Sequence, residues 1–467
     1  MSLSRLAEKL SLPGSDPNAL FLKVVSDIWD AGSNPDGFIN LGAAENSLMH
    51  AELLEHIHSN IKIPPMALTY GDGHKRVKHA VARFLTRHLK PLTPIEPGHV
   101  LVSNGCTPAI ESISWACANS GDAILIGRPY YGTFPADVGK RTGVELIPLS
   151  FGGVDPMGAD AVRAHDEAIC AAKKRGQRVA AIILAHPHNP LGRCYGRDAL
   201  VAYMELCQRH QIHLVSDEIY ALSVFENRAD TEAPPVPFQS VLSIDPTGII
   251  DPGLVHVLWG MSKDFGANGL RMGFTITQHN QRLRTALQAV FEFSWTSSLS
   301  DLVTANMLED DEWVKGYIQE NQRRLSLHHQ KVITWAREHG IEYAPGSNAG
   351  FFVWANLGAV YRKHCAGPVA DLDKAVMDSL IAHKVFLADG VHFGAEQPGW
   401  FRIIFSREED YIEEGLRRIA AAIGEGQSAA AEPPQAVNGG EGGRLHNTAP
   451  VLRHEPATNL STIGICL

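Results

Sequence analysis

Cysteine is scarce: seven stand among 467 residues, at positions 106, 117, 170, 194, 207, 365 and 466, and no two are spaced C-x-x-C. An odd, scattered set builds neither a disulfide framework nor a thiolate zinc site, and it suits a reducing, intracellular compartment. Excess positive charge is missing too. Forty-one Lys and Arg against 51 Asp and Glu leave a formal charge of −10, which repels nucleic acid and anionic membrane surfaces. No apolar run approaches the ~20 residues of a membrane span, and the opening MSLSRLAEKL lacks the basic-then-apolar order of a secretory signal. The closing Ile-Cys-Leu is neither a prenylation box nor a peroxisomal address, so a cytoplasmic location is expected. Internal repeats and a helix-turn-helix extension are also lacking. What is present is an ordinary globular composition, 45% hydrophobic and 20% charged, on a chain long enough for two lobes. Its expected partner is a small molecule, with no nucleic acid and no membrane.

Between about residues 98 and 275, short β-branched or apolar runs alternate with segments of helical period, the pattern of β-α units. Strands are expected at 99–102, 123–126, 145–149, 179–185, 213–216 and 255–258. Between them, Ile110, Ile113 and Cys117 share one helical face, as do Leu200, Val201, Met204 and Cys207. The expected fold is α/β, a mostly parallel sheet between helices, with ligands bound outside the carboxyl ends of the strands. A second lobe is expected from about residue 300, closing with a helix that carries Ile412, Leu416, Ile419 and Ile423 on one face. Residues 425–467 are rich in Gly, Ala, Pro, Glu and Asn, with too few apolar side chains to offset ordering entropy, and are expected to be a flexible tail.

The stretch 258–273, LWGMSKDFGANGLRMG, runs a strand into Ser262 and Lys263 and reaches Arg271 eight residues later. Such a lysine is either an exposed loop residue or a Schiff-base amine for an aldehyde cofactor. Residues 215–221, VSDEIYA, place Asp217 at a strand end and Tyr220 three residues on. Pyridoxal phosphate needs both types: a carboxylate keeps its pyridine nitrogen protonated, and a phenol or amide holds its 3′ oxygen. An aspartate in that position also serves commonly as a helix cap. Upstream, AHPHNPLG (185–192) ends a strand in Asn189-Pro190, whose amide is a second candidate for the 3′ oxygen. SNGCTP (103–108) joins a strand to a helix, so the amides of Gly105, Cys106 and Thr107 can bind phosphate at the helix's positive end. After the next strand, Tyr131 offers a ring to stack on a pyridine or simply a core edge.

These signals follow one another in order, each after an expected strand. With the phrases LGAAENS, TYGDG, GRPYYG, HPHNPLGR, SDEIYA, GMSKDFGANGLR, SNAGFFVW and GWFRIIFS, residues 18–424 resemble the class I/II aminotransferases of fold type I. Within them the chain is similar to the 1-aminocyclopropane-1-carboxylate synthase-like branch found in fungi as well as plants. The resemblance implies a large cofactor-binding domain (61–300), a small α/β domain (301–424) and an N-terminal segment (1–60) contributing to the small domain and to dimer contacts. It implies a homodimer with its active site at the interface and pyridoxal 5′-phosphate on Lys263. The phosphate would be held by Arg271 and the 105–107 turn, and Ser262 would be a further cofactor-binding residue. Arg402, in the apolar run WFRII, would grip the substrate carboxylate, as its planar guanidinium suits. Tyr70 would reach the phosphate of the neighbouring subunit, and Glu45 would lie near the substrate pocket.

Two positions depart from the plant pattern. Gly260 replaces a serine three residues before the lysine, removing a phosphate contact worth ~1 kcal/mol. Gly73 follows Asp72 where the plant motif has tyrosine, and the 74–78 segment is short, which counts against cyclisation of S-adenosylmethionine in particular. Twenty-two histidines invite a metal reading, but His56 and His58 fall on different sides of a helix and no H-E-x-x-H occurs. His186 and His188 are expected to line the cofactor turn. In the implied chemistry Lys263 carries the cofactor, then serves as the base for the α-proton, while Asp217 keeps the ring protonated. The expected activity is an aminotransferase of amino-acid or secondary metabolism. A carbon-sulfur lyase or cyclopropane-forming synthase is the alternative, and a non-catalytic pyridoxal-phosphate-binding regulator is the alternative of another class.

Overall fold

The computed structural model describes residues 19–230, 235–365 and 367–424, with positions 3, 4, 7, 8 and 11. The segment expected to be a flexible tail, 425–467, lies outside the described residues. Short runs rich in Val, Ile, Leu and Ala become strands wherever helices can cover both of their faces. After the two-residue β1 (Ile39–Asn40), such runs form β2 (Val100–Ser103), β3 (Ala123–Gly127), β4 (Glu145–Leu149), β5 (Val179–Ala185), β6 (His213–Asp217), β7 (Val255–Gly260) and β8 (Gly273–Ile276). Strands β2 to β8 make one sheet in the order β2-β8-β7-β6-β5-β3-β4. From β4 through β7 the neighbours are parallel. Every residue of β5 and β7 is buried, as expected of strands covered on both faces.

Six of these strands fall where the sequence pattern places them, to within two residues at their ends. β8 does not follow from the pattern: GFTI is four residues long and opens with glycine. It becomes a strand by pairing antiparallel with β2 on one side and β7 on the other. The helix Cys106–Cys117 buries Ile110, Ile113 and Cys117, and the helix Arg197–His210 buries Leu200, Met204 and Cys207, with Val201 at the edge. In the helix His50–Asn60, His56 is buried against Trp313, with ring centroids 3.9 Å apart, whereas His58 is exposed. No helix among the described residues is long and apolar enough to cross a membrane.

The C-terminal part adds β9 (Glu342–Tyr343), β10 (Phe352–Asn356), β11 (Val385–Phe386), β12 (Ala388–Asp389) and β13 (Trp400–Ile404). A four-stranded antiparallel sheet runs β12-β13-β10-β9, and the helix Glu409–Ile423 turns its predicted face, Ile412, Leu416, Ile419 and Ile423, inward. β1 pairs in parallel with β11, and Leu41 continues the ladder to Phe386 and Ile404. The stretch that follows, residues 42–48, therefore leaves the smaller sheet in a fixed direction. It runs toward the carboxyl ends of β5, β6 and β7.

Beneath those ends lies Trp259, fully buried, stacked on Phe274 at 5.8 Å and donating from Nε1 to Asp264 at 2.9 Å. Trp259→Ala is expected to remove about 3–5 kcal/mol of stability, the usual range for a large buried aromatic. The shift of the urea unfolding midpoint measures it.

Candidate active site

Strand register builds the site. Ala185 of β5, Asp217 of β6 and Leu258 of β7 are successive partners, so the three chains leave the sheet side by side. After Ala185 the chain passes through cis peptides before Pro187 and Pro190 and delivers Asn189. After β7 it folds at once into the short helix Met261–Asp264, which carries Ser262 and Lys263. These residues share one part-enclosed cleft. Its walls include Cys106, Thr107, Tyr131, Asn189, Asp217, Tyr220, Ser262, Lys263 and Arg271.

Asp217 is the cleft's buried carboxyl. Burial pushes its pKa up to about 7, against a weak opposing pull from the Ile219 amide at 3.3 Å and the charge of Lys263. Two neighbouring carboxyls are raised to about 7 by burial as well, but they serve the scaffold. Glu218 accepts from Ser216 and the Val241 amide, and Asp264 from Trp259, Leu222 and Ser223. Asp217 alone of the three faces the cleft. The Lys263 amine donates to the Ala44 carbonyl at 2.7 Å, so it is held at the surface of the 42–48 stretch.

At the opposite end of the cleft, Gly105 caps the helix Cys106–Cys117 with φ +112°, a conformation that favours glycine. A Cβ at Gly105 would come within 2.5 Å of Arg271 Nη2. Arg271, itself at φ +53°, is braced by a 2.9 Å bond from Nη1 to the Asn268 carbonyl. A helix N-terminus, a glycine that leaves space and a braced guanidinium form a cradle for an anion. The donor set thus fits pyridoxal 5′-phosphate: a phosphate cradle at one end, a carboxyl for a protonated ring nitrogen at the other, and an amine for the aldehyde. Gly260 has its own reason to lack a side chain. A Cβ there would lie 2.7 Å from the Met272 carbonyl and 3.1 Å from Cys106 Sγ, so a serine would need β8 to shift. Burial pushes the Cys106 thiol up, and it stays a neutral donor to the Trp259 carbonyl.

Tyr220 is buried edge-on against Phe351 and Phe352. Arg402 is 0% exposed, lies over the rings of Phe393 and Phe352, and donates to Asn189 Oδ1 at 3.0 Å and the Gly42 carbonyl at 2.7 Å. Glu45 stands just beyond the Lys263 contact and pairs with Arg407 at 3.0 Å. Tyr70 is 89% exposed and lies apart from the cleft in this single chain. The expectation for His186 and His188 is corrected. Beyond β5 the chain bends and turns over 186–190, and it is Pro187 and Asn189 that line the cleft, whereas His186 and His188 do not. His186 bonds the Gln239 carbonyl and the Tyr195 amide, and His188 accepts from the Leu191 amide. Sequence reasoning missed Asn268 and Asp137. Asn268 sits inside the singled-out 258–273 stretch but matches no cofactor pattern. Asp137 lies in a short helix after Pro135, and burial raises it to about 6 against hydroxyl bonds from Thr133 and Thr107. Neither has a local signal; only the cleft reveals them.

Two outcomes are expected. Gly105→Ala should weaken cofactor binding about tenfold, or ~1.4 kcal/mol, measured as the dissociation constant from cofactor absorbance. The raised Asp217 carboxyl binds a proton in the cofactor-free folded chain that the unfolded chain has already released. Its stabilising contribution is complete below the unfolded pKa and is lost as pH rises through about 7. Thermal melts of cofactor-free protein should therefore fall across that interval, less steeply in Asp217→Asn.

Residues 36–419 match the family described as aminotransferase class I and II. The chain is 32% identical to the 1-aminocyclopropane-1-carboxylate synthase-like protein 1 of Bos taurus, over 89% of this chain and 82% of that protein. It is 30% identical to 1-aminocyclopropane-1-carboxylate synthase 2 of Arabidopsis thaliana, covering 88% and 87%. To the probable aminotransferase gliI of Aspergillus fumigatus it is 31% identical, covering 83% and 90%. The fold is shared with Thermus thermophilus aspartate aminotransferase solved with maleate, at TM-score 0.67 and 18% identity over 90% and 100% of the two chains. With its fold, its cleft and its sequence all in agreement, the chain belongs to the class I and II aminotransferases, a family of pyridoxal-phosphate-dependent enzymes.

Proposed function

We propose that this enzyme holds pyridoxal 5′-phosphate on Lys263 and transfers the amino group of an α-amino acid. One observation carries the reading: Asp217, Lys263 and the Arg271 side of the Gly105 cradle meet in a single cleft at the carboxyl ends of β5 to β7. When bound, pyridoxal phosphate supplies an aldehyde for amines and an electron-withdrawing ring. Asp217 holds the proton on the ring nitrogen, and in doing so gains the cation that its burial requires. Asn189 and Tyr220 would bind the 3′ oxygen, while Arg271, Thr107, Ser262 and the Gly105–Cys106 turn would bind the phosphate. Tyr131 covers the ring. Arg402 binds the substrate carboxylate through its planar fork, in an apolar setting that strengthens the pair. Lys263 Nζ would tether the cofactor and would be the base that takes the α-proton.

A lyase or ring-closing activity is the second reading, favoured by the synthase names of the Bos taurus and Arabidopsis thaliana relatives. We also propose a homodimer. Ile63, Met66, Leu68, Tyr70 and Phe293 are large apolar or aromatic side chains, each more than half exposed, and such side chains suit burial by a second copy. Tyr70 would then serve the partner's site. A cytoplasmic location is proposed on the scattered cysteines of the sequence.

Products identified by mass spectrometry, from a panel of amino acids with and without a 2-oxo acid, decide between the readings. Strict dependence on the oxo acid is expected. Ammonia, thiol or methylthioadenosine released without it would establish the lyase reading instead. Lys263→Ala is expected to lose the cofactor's visible band and turnover, by about 10⁴-fold or more; retained turnover would contradict the assignment.

A further inference from the structure

The groups that hold the cofactor and the substrate carboxylate in this reading, the Lys263 amine and the Arg402 guanidinium, donate to carbonyls of one short stretch, Ala44 and Gly42 respectively. An amino acid spanning them lies against that stretch. Glu45 is the first charged side chain along it. A half-buried carboxylate at such a place attracts cations, since attraction grows as water is excluded. In this structure both of its oxygens are taken. Asn268, itself part of the cleft wall, donates to Oε1 at 3.2 Å, and Arg407 Nη1 donates to Oε2 at 3.0 Å.

Arg407 is placed for this pairing by several contacts. It follows β13 by three residues, its guanidinium lies 4.8 Å from the centre of the Tyr411 ring, and its Nε stands 3.9 Å from Glu408. The adjacent Ser406 hydroxyl donates to the Glu45 carbonyl at 2.6 Å, and the Ser47 amide donates to the Ser406 carbonyl at 2.9 Å. The ion pair is therefore clamped from both backbones, unlike a loose surface pair between long side chains.

Resting on the aminotransferase reading, we propose that Arg407 is a specificity-determining residue. By neutralising Glu45 it leaves the site without an open counter-charge, and so discriminates against amino acids whose side chain carries a positive charge. Neutral side chains are the substrate class that the pair admits.

Lysine and norleucine test this, because they have nearly the same shape and differ by the terminal ammonium. Their dissociation constants are measured by calorimetry on the holoenzyme for wild type, Arg407→Gln, Arg407→Lys and the double variant Arg407→Gln/Glu45→Gln. Arg407→Gln is expected to shift the lysine-to-norleucine affinity ratio at least about tenfold toward lysine, equivalent to ~1.4 kcal/mol. Arg407→Lys is expected to keep the wild-type ratio, and the double variant to return to it. A ratio unchanged in Arg407→Gln, or still raised once Glu45 is also removed, overturns the proposal, as does failure of every form to bind either amino acid. Absence of turnover in wild type with either amino acid, together with the expected shift in affinities, would instead count against the aminotransferase reading and leave the role of Arg407 standing.

Discussion

A carboxyl that is buried yet faces an open cleft is the constraint around which this molecule is arranged. Asp217 ends a strand covered on both faces, where desolvation alone favours its neutral form. Nearby, Asp264 accepts from indole, hydroxyl and amide donors on both of its oxygens, and Glu218 accepts from Ser216 and the Val241 amide on one, so their burial is compensated at least in part within the protein. Asp217 faces a cleft instead, and a positive charge brought there is attracted in proportion to how poorly water competes. The same burial that penalises the carboxylate makes it an effective partner for a protonated heterocycle. Parallel strands are needed for this, because only they bring Ala185, Asp217 and Leu258 to a common edge with loops free beyond it.

The stretch from Asn40 to Leu48 links this edge to the smaller sheet. Its carbonyls receive the Lys263 amine and the Arg402 guanidinium, and its ends are tied by the β1–β11 ladder and by Ser406. The two groups proposed as cofactor tether and carboxylate grip are thus spaced by one short piece of backbone. Arg402 reaches the same place from β13, sandwiched by aromatic rings that hold its plane. An arrangement in which both grips share a backbone support limits how far one can drift relative to the other, which bears directly on alignment of the α-carbon.

The departures from the plant pattern acquire physical reasons in three dimensions. Gly260 looks like a lost hydroxyl in the sequence, yet Cys106 and the Met272 carbonyl occupy the space a side chain would need. Asp72 bonds the amides of Lys75 and Arg76 and so starts the helix Lys75–Leu89, while His74, at φ +65°, pairs with Asp301 at 2.5 Å. Gly73 between them stands at φ +70°, a left-handed conformation that favours glycine over a residue such as tyrosine. Kinship with synthases and with an aminotransferase is compatible with either fate after proton abstraction, because the residues that bind the cofactor do not choose between them.

Much was legible from order and chemistry along the chain. The strand–loop punctuation located Lys263, Asp217, Asn189 and the 105–107 turn, since each follows a strand whose hydrophobic run is strong, and function at strand ends is a rule of parallel sheets. β8 was hidden, because four residues opened by glycine have no period and depend on pairing with both neighbours. Asn268 and Asp137 were hidden as well, as single polar residues with nothing local to mark them. The pairing of Glu45 with Arg407 joins positions 362 residues apart, and no spacing could reveal it. What the sequence by itself determined was the class of chemistry, through residue types repeated at the ends of apolar runs. What only the tertiary structure decided was which charges are cancelled and which stay available, because desolvation and ion pairing depend on distances that chain order does not encode.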